Sequence, residues 1–234
     1  MSLADVAFVL CGDFAQFAAV CEHWAGCDVP DGALENSDMV RDLAGSNRLT
    51  LTVNKRSDPV LFKFYTSLAQ RPLADALEEG RLRFPLTALP ATTIVISHAR
   101  RRYLNMQRNL HDRPPHAIFF KAPGGKTGGT SPQSMYLWPG LKVVGAGGAV
   151  PKGVFESLQT VSEDEVTLHS GTRLTAHQAI RSLRLAYALT YPSCQGLTIT
   201  GRVRLDCTDS RHFTIKHLYV GSSRPTASAL LEIA

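Results

Sequence analysis

The stretch that decides the fold is Leu185–Ile199, LAYALTYPSCQGLTI. An apolar, helix-like run leads into a Pro-Ser-Cys-Gln-Gly junction, and a β-branched run follows it. A Gln-Gly pair at such a junction brings a polar amide and a backbone without a side chain close to a ligand. Further along the chain, LYVGSSRPTA places Arg224 after another apolar run. The two segments together predict a shared site.

The segments around this stretch alternate in type. Apolar runs predict strands, and amphipathic runs predict helices. Such an alternation predicts an α/β fold with a mainly parallel sheet whose faces are covered. The predicted strands are 6–13, 49–53, 92–99, 199–207 and 216–223, the predicted helices are 60–70, 72–80 and 100–111, and the segments 181–189 and 226–233 fit either a strand or a helix.

The middle of the chain has a different pattern. Residues 122–133, APGGKTGGTSPQ, are rich in Gly, Ser and Thr and predict a flexible loop. Residues 135–171 contain several short strand patterns separated by turn residues. We therefore predict a small antiparallel β insert within the α/β frame, over residues 121–171.

Composition narrows the class of protein. The 234 residues are 44% hydrophobic and 19% charged, ordinary values for a packed protein. The net charge of +5 permits a phosphate-bearing partner without requiring one. The cysteines form no CxxC pair, and no apolar run is long enough to span a bilayer. The start ADVAFVL is too short for a signal peptide, so we expect an intracellular protein (cytoplasm or nucleus) that is not secreted and has no membrane partner.

Three further segments carry candidate site residues. Gly12, Asp13 and Gln16 follow a predicted strand at the edge where open α/β sheets bind ligands, although Asp13 and Gln16 could equally cap a helix. Arg56 lies between a predicted strand and a helix, where its planar fork could reach a phosphate or simply be solvated. Arg224 follows the predicted strand 216–223, and alone it could be a surface ion-pair partner.

The order of these segments is more specific than any one of them. It runs Gly-Asp-x-x-Gln, then Arg, then Thr-x-x-x-x-Gln-Gly, then Tyr-Val-x-x-Ser-Arg. This order resembles motifs III to VI of the superfamily 1 helicases, and it is most similar to the RecD/Pif group. The resemblance covers most of the chain and implies a RecA-like parallel sheet with helices on both faces.

The resemblance implies an ATP-driven helicase that acts on nucleic acid. In this family two RecA-like domains bind ATP in the cleft between them. The implied catalytic residues are Gln16, which would sense the terminal phosphate, Arg56 and Arg224, which would act as arginine fingers, and Gln195 at the nucleotide edge. Gly12, Asp13 and Gly196 match positions that bind ATP.

The resemblance also implies contacts with a single nucleic-acid strand, with DNA favoured as the track. Thr190, Pro192 and Ser193 match positions that touch the strand backbone, and the turn from His98 to Arg100 faces it as well. The family usually has His-Lys-Ser before Gln-Gly, whereas this chain has Pro-Ser-Cys. That change removes a cation, so we expect a weaker grip on the strand or one supplied by the arginines after His98.

Other motor parts are not found in the sequence. No Walker A loop or Walker B acidic pair precedes the Gly-Asp-x-x-Gln segment, and the GGKTGGT stretch at 124–130 lacks the Walker A spacing. We therefore expect the C-terminal portion of a motor, inactive alone, whose N-terminal half in cis or in trans holds most of the ATP and Mg²⁺. The expected domains are 1–48 as the end of the first RecA-like domain and 49–120 with 172–234 as the second.

Two other functions stay open at this point. One is a nucleic-acid-binding module derived from a helicase that no longer turns over ATP. The other is half of a viral-type RNA helicase, because the same motif order serves RNA motors.

Overall fold

The computed structural model describes residues 9–17, 23–24, 27–28, 32–33, 35–124 and 131–234. The first part of the chain holds a short antiparallel pair and one helix. These are β1 (His23–Trp24), β2 (Cys27–Asp28) and α1 (Asp38–Leu43). The remaining elements form two packed bodies, a parallel sheet with its helices and an antiparallel sheet with a hairpin.

The parallel sheet confirms the predicted fold class. Its strands are β3 (Thr92–Val95), β11 (Ala188–Thr190), β12 (Val203–Leu205) and β13 (Leu231–Ile233), in the order β11-β3-β12-β13. Every neighbouring pair runs parallel. Their residues are almost all buried, as expected for β-branched and leucine-rich strands covered by helices.

The helices around this sheet begin at clear sequence signals. Asp58 caps α2 (Pro59–Thr66), with its carboxylate accepting from the N–H of Leu61 at 2.8 Å, and Ser97 caps α4 in the same way. The helices in this part of the chain are α2, α3 (Leu73–Arg83), α4 (His98–Asp112), α6 (Tyr191–Cys194) and α7 (Ile215–Ser222). The predictions of helices near 60–70, 72–80 and 100–111 are therefore confirmed.

The antiparallel body also agrees with the prediction in kind. A five-stranded sheet has the order β10-β6-β7-β8-β9, and a separate hairpin pairs β4 with β5. It includes β9 and β10, which lie beyond residue 171. The bounds are β4 (Ile118–Phe120), β5 (Met135–Leu137), β6 (Lys142–Gly145), β7 (Phe155–Val161), β8 (Glu165–Leu168), β9 (Arg173–Thr175) and β10 (Leu183–Leu185), with α5 (Ala176–Ser182) between the last two.

Three local predictions are wrong. Residues 9–13 and 49–53 form no strand, although both have strand-like apolar patterns. The predicted strand 216–223 is α7. The run before the Pro-Ser-Cys-Gln-Gly junction, which fitted either a strand or a helix, contains the strands β10 and β11. The remainder of the predicted strand 6–13, and residues 125–130 of the predicted loop, lie outside the described residues.

The side chains pack into two cores that match the two bodies. The first lies between the parallel sheet and helices α2, α3, α6 and α7, and Tyr191 at its centre is fully buried. The second fills the antiparallel body, with Trp138 packed at its margin. None of the described helices is long and apolar enough to cross a membrane.

Candidate nucleotide and strand site

The end of α7 is where the separated motifs meet. Gly221 lets this helix approach the sheet, because a Cβ there would lie 2.6 Å from Cδ2 of Leu205 and 2.9 Å from Cε1 of Tyr191. The helix begins with a capping box in which Thr214 and His217 bond each other. Arg224 therefore follows a helix that is fixed at both ends, and it does not follow a strand as the sequence had suggested.

Arg224 is a buried cation, with only 1% of its surface exposed. Its Nε donates to the carbonyl of Val220 at 2.8 Å, and its Nη1 donates to the carbonyls of Leu197 at 3.1 Å and Cys194 at 3.3 Å. Nη2 donates to Oγ of Ser223 at 2.7 Å. All of these acceptors are neutral, and no described carboxylate forms an ion pair with Arg224. Burial lowers the pKa of this guanidinium, and the neighbouring charge of Arg56 acts in the same direction.

Arg56 lies beside this buried cation and is itself exposed. Its Nη1 is 3.4 Å from the carbonyl oxygen of Ser223, the residue before Arg224. The side chain of Asn54 shapes the turn, because its Oδ1 accepts from the backbone N–H of Arg56 at 3.0 Å. Two guanidinium groups thus come together with no described carboxylate paired to either one.

The Gly-Asp-x-x-Gln segment reaches the same place. Oδ2 of Asp13 accepts from Nε2 of Gln16 at 2.8 Å and from the hydroxyl of Tyr219 on α7 at 2.9 Å. Oδ1 of Asp13 accepts from the N–H of Ala15 at 3.1 Å, so this carboxylate also closes a local turn. Burial and the Asp13 contact raise the pKa of Tyr219 well above its ordinary value, so the phenol stays protonated and donates.

Gln195 is connected to α7 through Phe17. Its Nε2 donates to the carbonyl of Phe17 at 3.2 Å, and the Phe17 ring packs on His217 with centroids 4.7 Å apart. Gly196 has a φ of +80°, a conformation that an L side chain rarely adopts. Four of the sequence-predicted residues, Gln16, Arg56, Gln195 and Arg224, are therefore joined by short chains of contacts around one helix.

The residues expected to touch a nucleic-acid strand lie at the carboxyl ends of β11 and β3. Oγ1 of Thr190, which is buried, lies 2.5 Å from Oγ of the half-buried Ser193. Pro192 between them is exposed. In parallel strands these ends share one edge, so the first turn of α4 begins nearby.

That first turn of α4 carries the other two expected contacts. Nε of the exposed Arg100 donates to Oδ2 of Asp206 at 2.9 Å, which raises the pKa of Arg100. His98 is half-buried, and burial, with the charges of Arg101 and Arg102, lowers its pKa. The His98 imidazole is therefore neutral at pH 7.

Two residues of the site were missed in the sequence. Tyr219 joins Asp13 to α7, and Asp206 holds Arg100. Asp206 directly follows β12, so the rule that a polar residue after a strand marks the ligand edge could have found it. Tyr219 had no such signal, because its segment was predicted to be a strand.

No group of three or more His, Cys, Asp or Glu residues that could hold a metal ion occurs in the described part of the chain. The candidate site is a cluster of two guanidinium groups and two amides beside the single carboxylate of Asp13. Such groups suit phosphate oxygens.

Comparison with known proteins shows what the fold is similar to. No protein-family model matches the sequence, and no curated protein matches it. Among solved structures, the Pif1 helicase from Candida albicans is similar over 95% of this chain and 62% of its own, with a TM-score of 0.56 and 17% identity. The chain has a Pif1-helicase-like fold.

Two more solved Pif1 structures are similar to this chain. A Pif1 helicase studied in DNA unwinding at forked double-stranded DNA is similar over 78% of this chain and 48% of its own, with a TM-score of 0.57 and 16% identity. The Bacteroides Pif1 bound to single-stranded DNA is similar over 78% of this chain and 50% of its own, with a TM-score of 0.53 and 15% identity. The chain thus spans about half to three fifths of the length of these Pif1 structures. At such identities the likeness shows the fold, a mixed α/β structure similar to the RecA-like domains of Pif1 helicases.

Proposed function

We propose that this chain is the C-terminal motor portion of a Pif1-like, ATP-driven translocase that moves on single-stranded DNA. The observation that carries the proposal is the meeting of four separated segments around the end of α7. Those segments bring two guanidinium groups and two side-chain amides to one place. Charge of that sign and hydrogen-bonding capacity of that kind fit the outer phosphate of a nucleotide.

The two arginines would take different parts in binding ATP. Arg56 is exposed, so its fork is available to phosphoryl oxygens without breaking any buried contact. Arg224 has its donors on carbonyls, so it would act on a phosphate only after exchanging one of them. A cation at the transferring phosphoryl group stabilises the charge that spreads over its oxygens in the transition state. Bound ATP supplies the free energy of its hydrolysis to the movement.

The amides and the magnesium ion have separate places in this proposal. Gln16 and Gln195 can each donate to a phosphate oxygen and can donate to or accept from a water molecule, and Gly12, Asp13 and Gly196 are the further residues proposed to contact ATP. The described residues offer no group of carboxylates for Mg²⁺. We therefore assign Mg²⁺ to a nucleotide-binding half supplied in cis or in trans.

The strand would run along the carboxyl edge of the parallel sheet. Ser193, whose hydroxyl bonds the buried Thr190, and the first turn of α4 present a hydroxyl, an imidazole and the Arg100 guanidinium there. Contacts of this type with phosphates and sugars fix the position of a strand and carry no sequence preference. DNA is the proposed track, because solved Pif1 helicases with this fold bind it.

The test is ATP turnover by the chain combined with a nucleotide-binding half, with and without single-stranded DNA. We expect Arg56→Ala to lower DNA-stimulated turnover by roughly a thousandfold, as arginine fingers do, while strand binding is unchanged. Arg173→Ala, which removes an exposed arginine from β9, is the matched control and should keep full turnover. Undiminished turnover in Arg56→Ala would contradict the arginine-finger role.

A second function, an ATPase-inactive strand-binding module, is favoured by one observation. The buried hydrogen bonds of Arg224 join α7, through Val220, to the turn after α6, through Cys194 and Leu197. Arg224 thus has a structural role that needs no nucleotide. This module would bind single strands in a salt-dependent way and show no turnover with any nucleotide-binding half. Comparing ATP turnover stimulated by single-stranded RNA with turnover stimulated by single-stranded DNA distinguishes an RNA helicase from a DNA helicase.

A further inference from the structure

The β4–β5 hairpin carries an aromatic pair on its outer face. Phe119 and Tyr136 are directly opposite in the register, and their ring centroids are 4.9 Å apart with the planes tilted by 46°. Their neighbours in the two strands, Phe120, Met135 and Leu137, point into the core and are at least 95% buried. Phe119 is 49% exposed, an unusual position for a phenylalanine.

Cations border this pair. The guanidinium of Arg113, which is exposed, lies over the Tyr136 ring at 4.5 Å from its centroid. Lys121 is also exposed and directly follows β4, two residues after Phe119. No carboxylate pairs with Arg113 or Lys121 in residues 35–124 and 131–234. The nearby Asp112 is already bound by Arg108 at 3.0 Å and by His111 at 2.8 Å.

The pair is also held rigidly. Asn109, fully buried on α4, accepts from the N–H of Tyr136 at 2.7 Å and donates to its carbonyl at 2.8 Å. One amide side chain therefore fixes the hairpin strand to α4, much as a neighbouring strand would. A rigid aromatic surface loses little freedom when it binds a flat ligand.

We propose that Phe119, Tyr136 and Arg113 form a base-stacking platform for a single nucleic-acid strand. Bases present flat π faces for the exposed Phe119 ring and for the Arg113 guanidinium that covers the Tyr136 ring, and the phosphates between the bases suit Arg113 and Lys121. An apolar protein partner would match the rings but would offer no counter-charge to Arg113 or Lys121. The inference rests on the proposed function only in taking a single strand as the ligand.

The position of the platform along α4 sets the length of strand involved. His98 begins this helix and Asn109 holds the hairpin, so the two points are about 16 Å apart along the helix axis. At the 3.4 Å spacing of nucleotides, that distance corresponds to roughly five of them. An oligonucleotide of about 10 nucleotides could therefore reach both the strand edge and the platform.

The test is fluorescence anisotropy of the full chain with labelled oligo-dT and with an abasic oligonucleotide of equal length, which has the same phosphates but no bases. We expect Phe119→Ala to weaken dT binding roughly tenfold and to leave abasic binding unchanged. Phe119→Leu keeps the apolar volume without the π face and should weaken dT binding similarly. A 2-aminopurine base in the strand should be quenched by the wild-type chain and much less by Phe119→Ala.

Three results would overturn the platform. Equal dT affinity in Phe119→Ala and wild type, with Arg100→Ala weakened, would reject the platform and leave the proposed strand edge intact. Equal losses for dT and abasic strands would show that Phe119 acts only through the fold. No binding of the wild-type chain to either oligonucleotide would reject the platform and the proposed strand-binding function together.

Discussion

Tyr219 donates a hydrogen bond of 2.9 Å to Oδ2 of Asp13, although the two residues are 206 positions apart in the chain. The same carboxylate oxygen accepts from Nε2 of Gln16. A motion of the segment that carries Gln16 must therefore either move α7 or break this bond. The contact connects the residue proposed to sense the phosphate with the helix that ends at Arg224.

Breaking this bond should loosen the segment without unfolding the chain. We expect Tyr219→Phe to lower the free energy of unfolding by about 1 kcal/mol, because the acceptor is exposed and can be rehydrated. Amide hydrogen exchange should show lower protection at residues 13–17. Asp13→Asn combined with Tyr219→Phe should cost less than the sum of the two single changes, since both remove one interaction. Strict additivity would contradict the contact.

Arg224 and Arg56 should contribute differently to the free energy of unfolding. Arg224→Ala removes a buried side chain that bonds three carbonyls and a hydroxyl, and each of those carbonyls loses a donor. We expect it to lower the free energy of unfolding by about 3 kcal/mol, measured by urea denaturation. Arg56→Ala should change that free energy by less than about 0.5 kcal/mol, because its side chain is exposed. Equal losses would contradict the different burial of the two residues.

The lowered pKa of Glu232 predicts how the free energy of unfolding changes in acid. This carboxylate is fully buried, and although burial opposes its charged form, hydrogen bonds from Thr87, Ala88 and Arg204 bring its pKa from 4.5 to about 2. Because the pKa is lower in the folded chain, the stabilisation is complete above pH 4.5 and is lost as the pH falls toward 2.

Glu232→Gln tests this linkage. It should lower the free energy of unfolding at pH 7 by about 3 kcal/mol, since it removes the charge of a fully buried carboxylate and leaves the half-buried Arg204 without its charge partner. Urea denaturation between pH 7 and pH 2 should then show a flatter curve than wild type. Glu79→Gln, which removes a more exposed carboxylate paired with Arg71 and Arg83, is the control and should cost less. A variant curve that runs parallel to wild type would contradict the assignment.

Ser193 gives a prediction of improved strand binding. The resemblance to helicases expects a lysine at this position, and Ser193 is half-buried at the proposed strand edge. Ser193→Lys should tighten binding to oligo-dT at low salt and steepen the slope of log K against log salt by about 0.7, the value for one added phosphate contact. Ser193→Ala is the control and should leave the slope unchanged. An unchanged slope in Ser193→Lys would place the strand elsewhere.

Local patterns predicted the elements whose partners are near in sequence or wholly buried. β3 and β12 are short β-branched or leucine-rich runs, and α4 has a serine cap followed by a long polar pattern, so each was predicted in its place. α7 was not, because Tyr219 and Val220 favour strands and Leu218 extends the same apolar run. Its capping box has His217 where the usual signature has Glu or Gln, and the close approach at Gly221 appears only in the tertiary contacts.

The unconfirmed strands near the start show a second limit. Leu49, Leu51 and Val53 alternate with threonines, as a strand should, yet they are 93%, 95% and 71% exposed. A strand needs a neighbouring strand to bond, and no described strand lies against this segment. For the site, motif order predicted which residues would meet, whereas Tyr219 and the burial of Arg224 depend on packing that no short pattern encodes.

Helix α4 holds two strands from different bodies by the same device. Asn105 exchanges two hydrogen bonds with the backbone of Ala188 on β11, as Asn109 does with Tyr136 on β5. The two asparagines are one helical turn apart, so sliding the helix would break all four bonds at once. A force applied to the hairpin would therefore be transmitted through α4 to the parallel sheet.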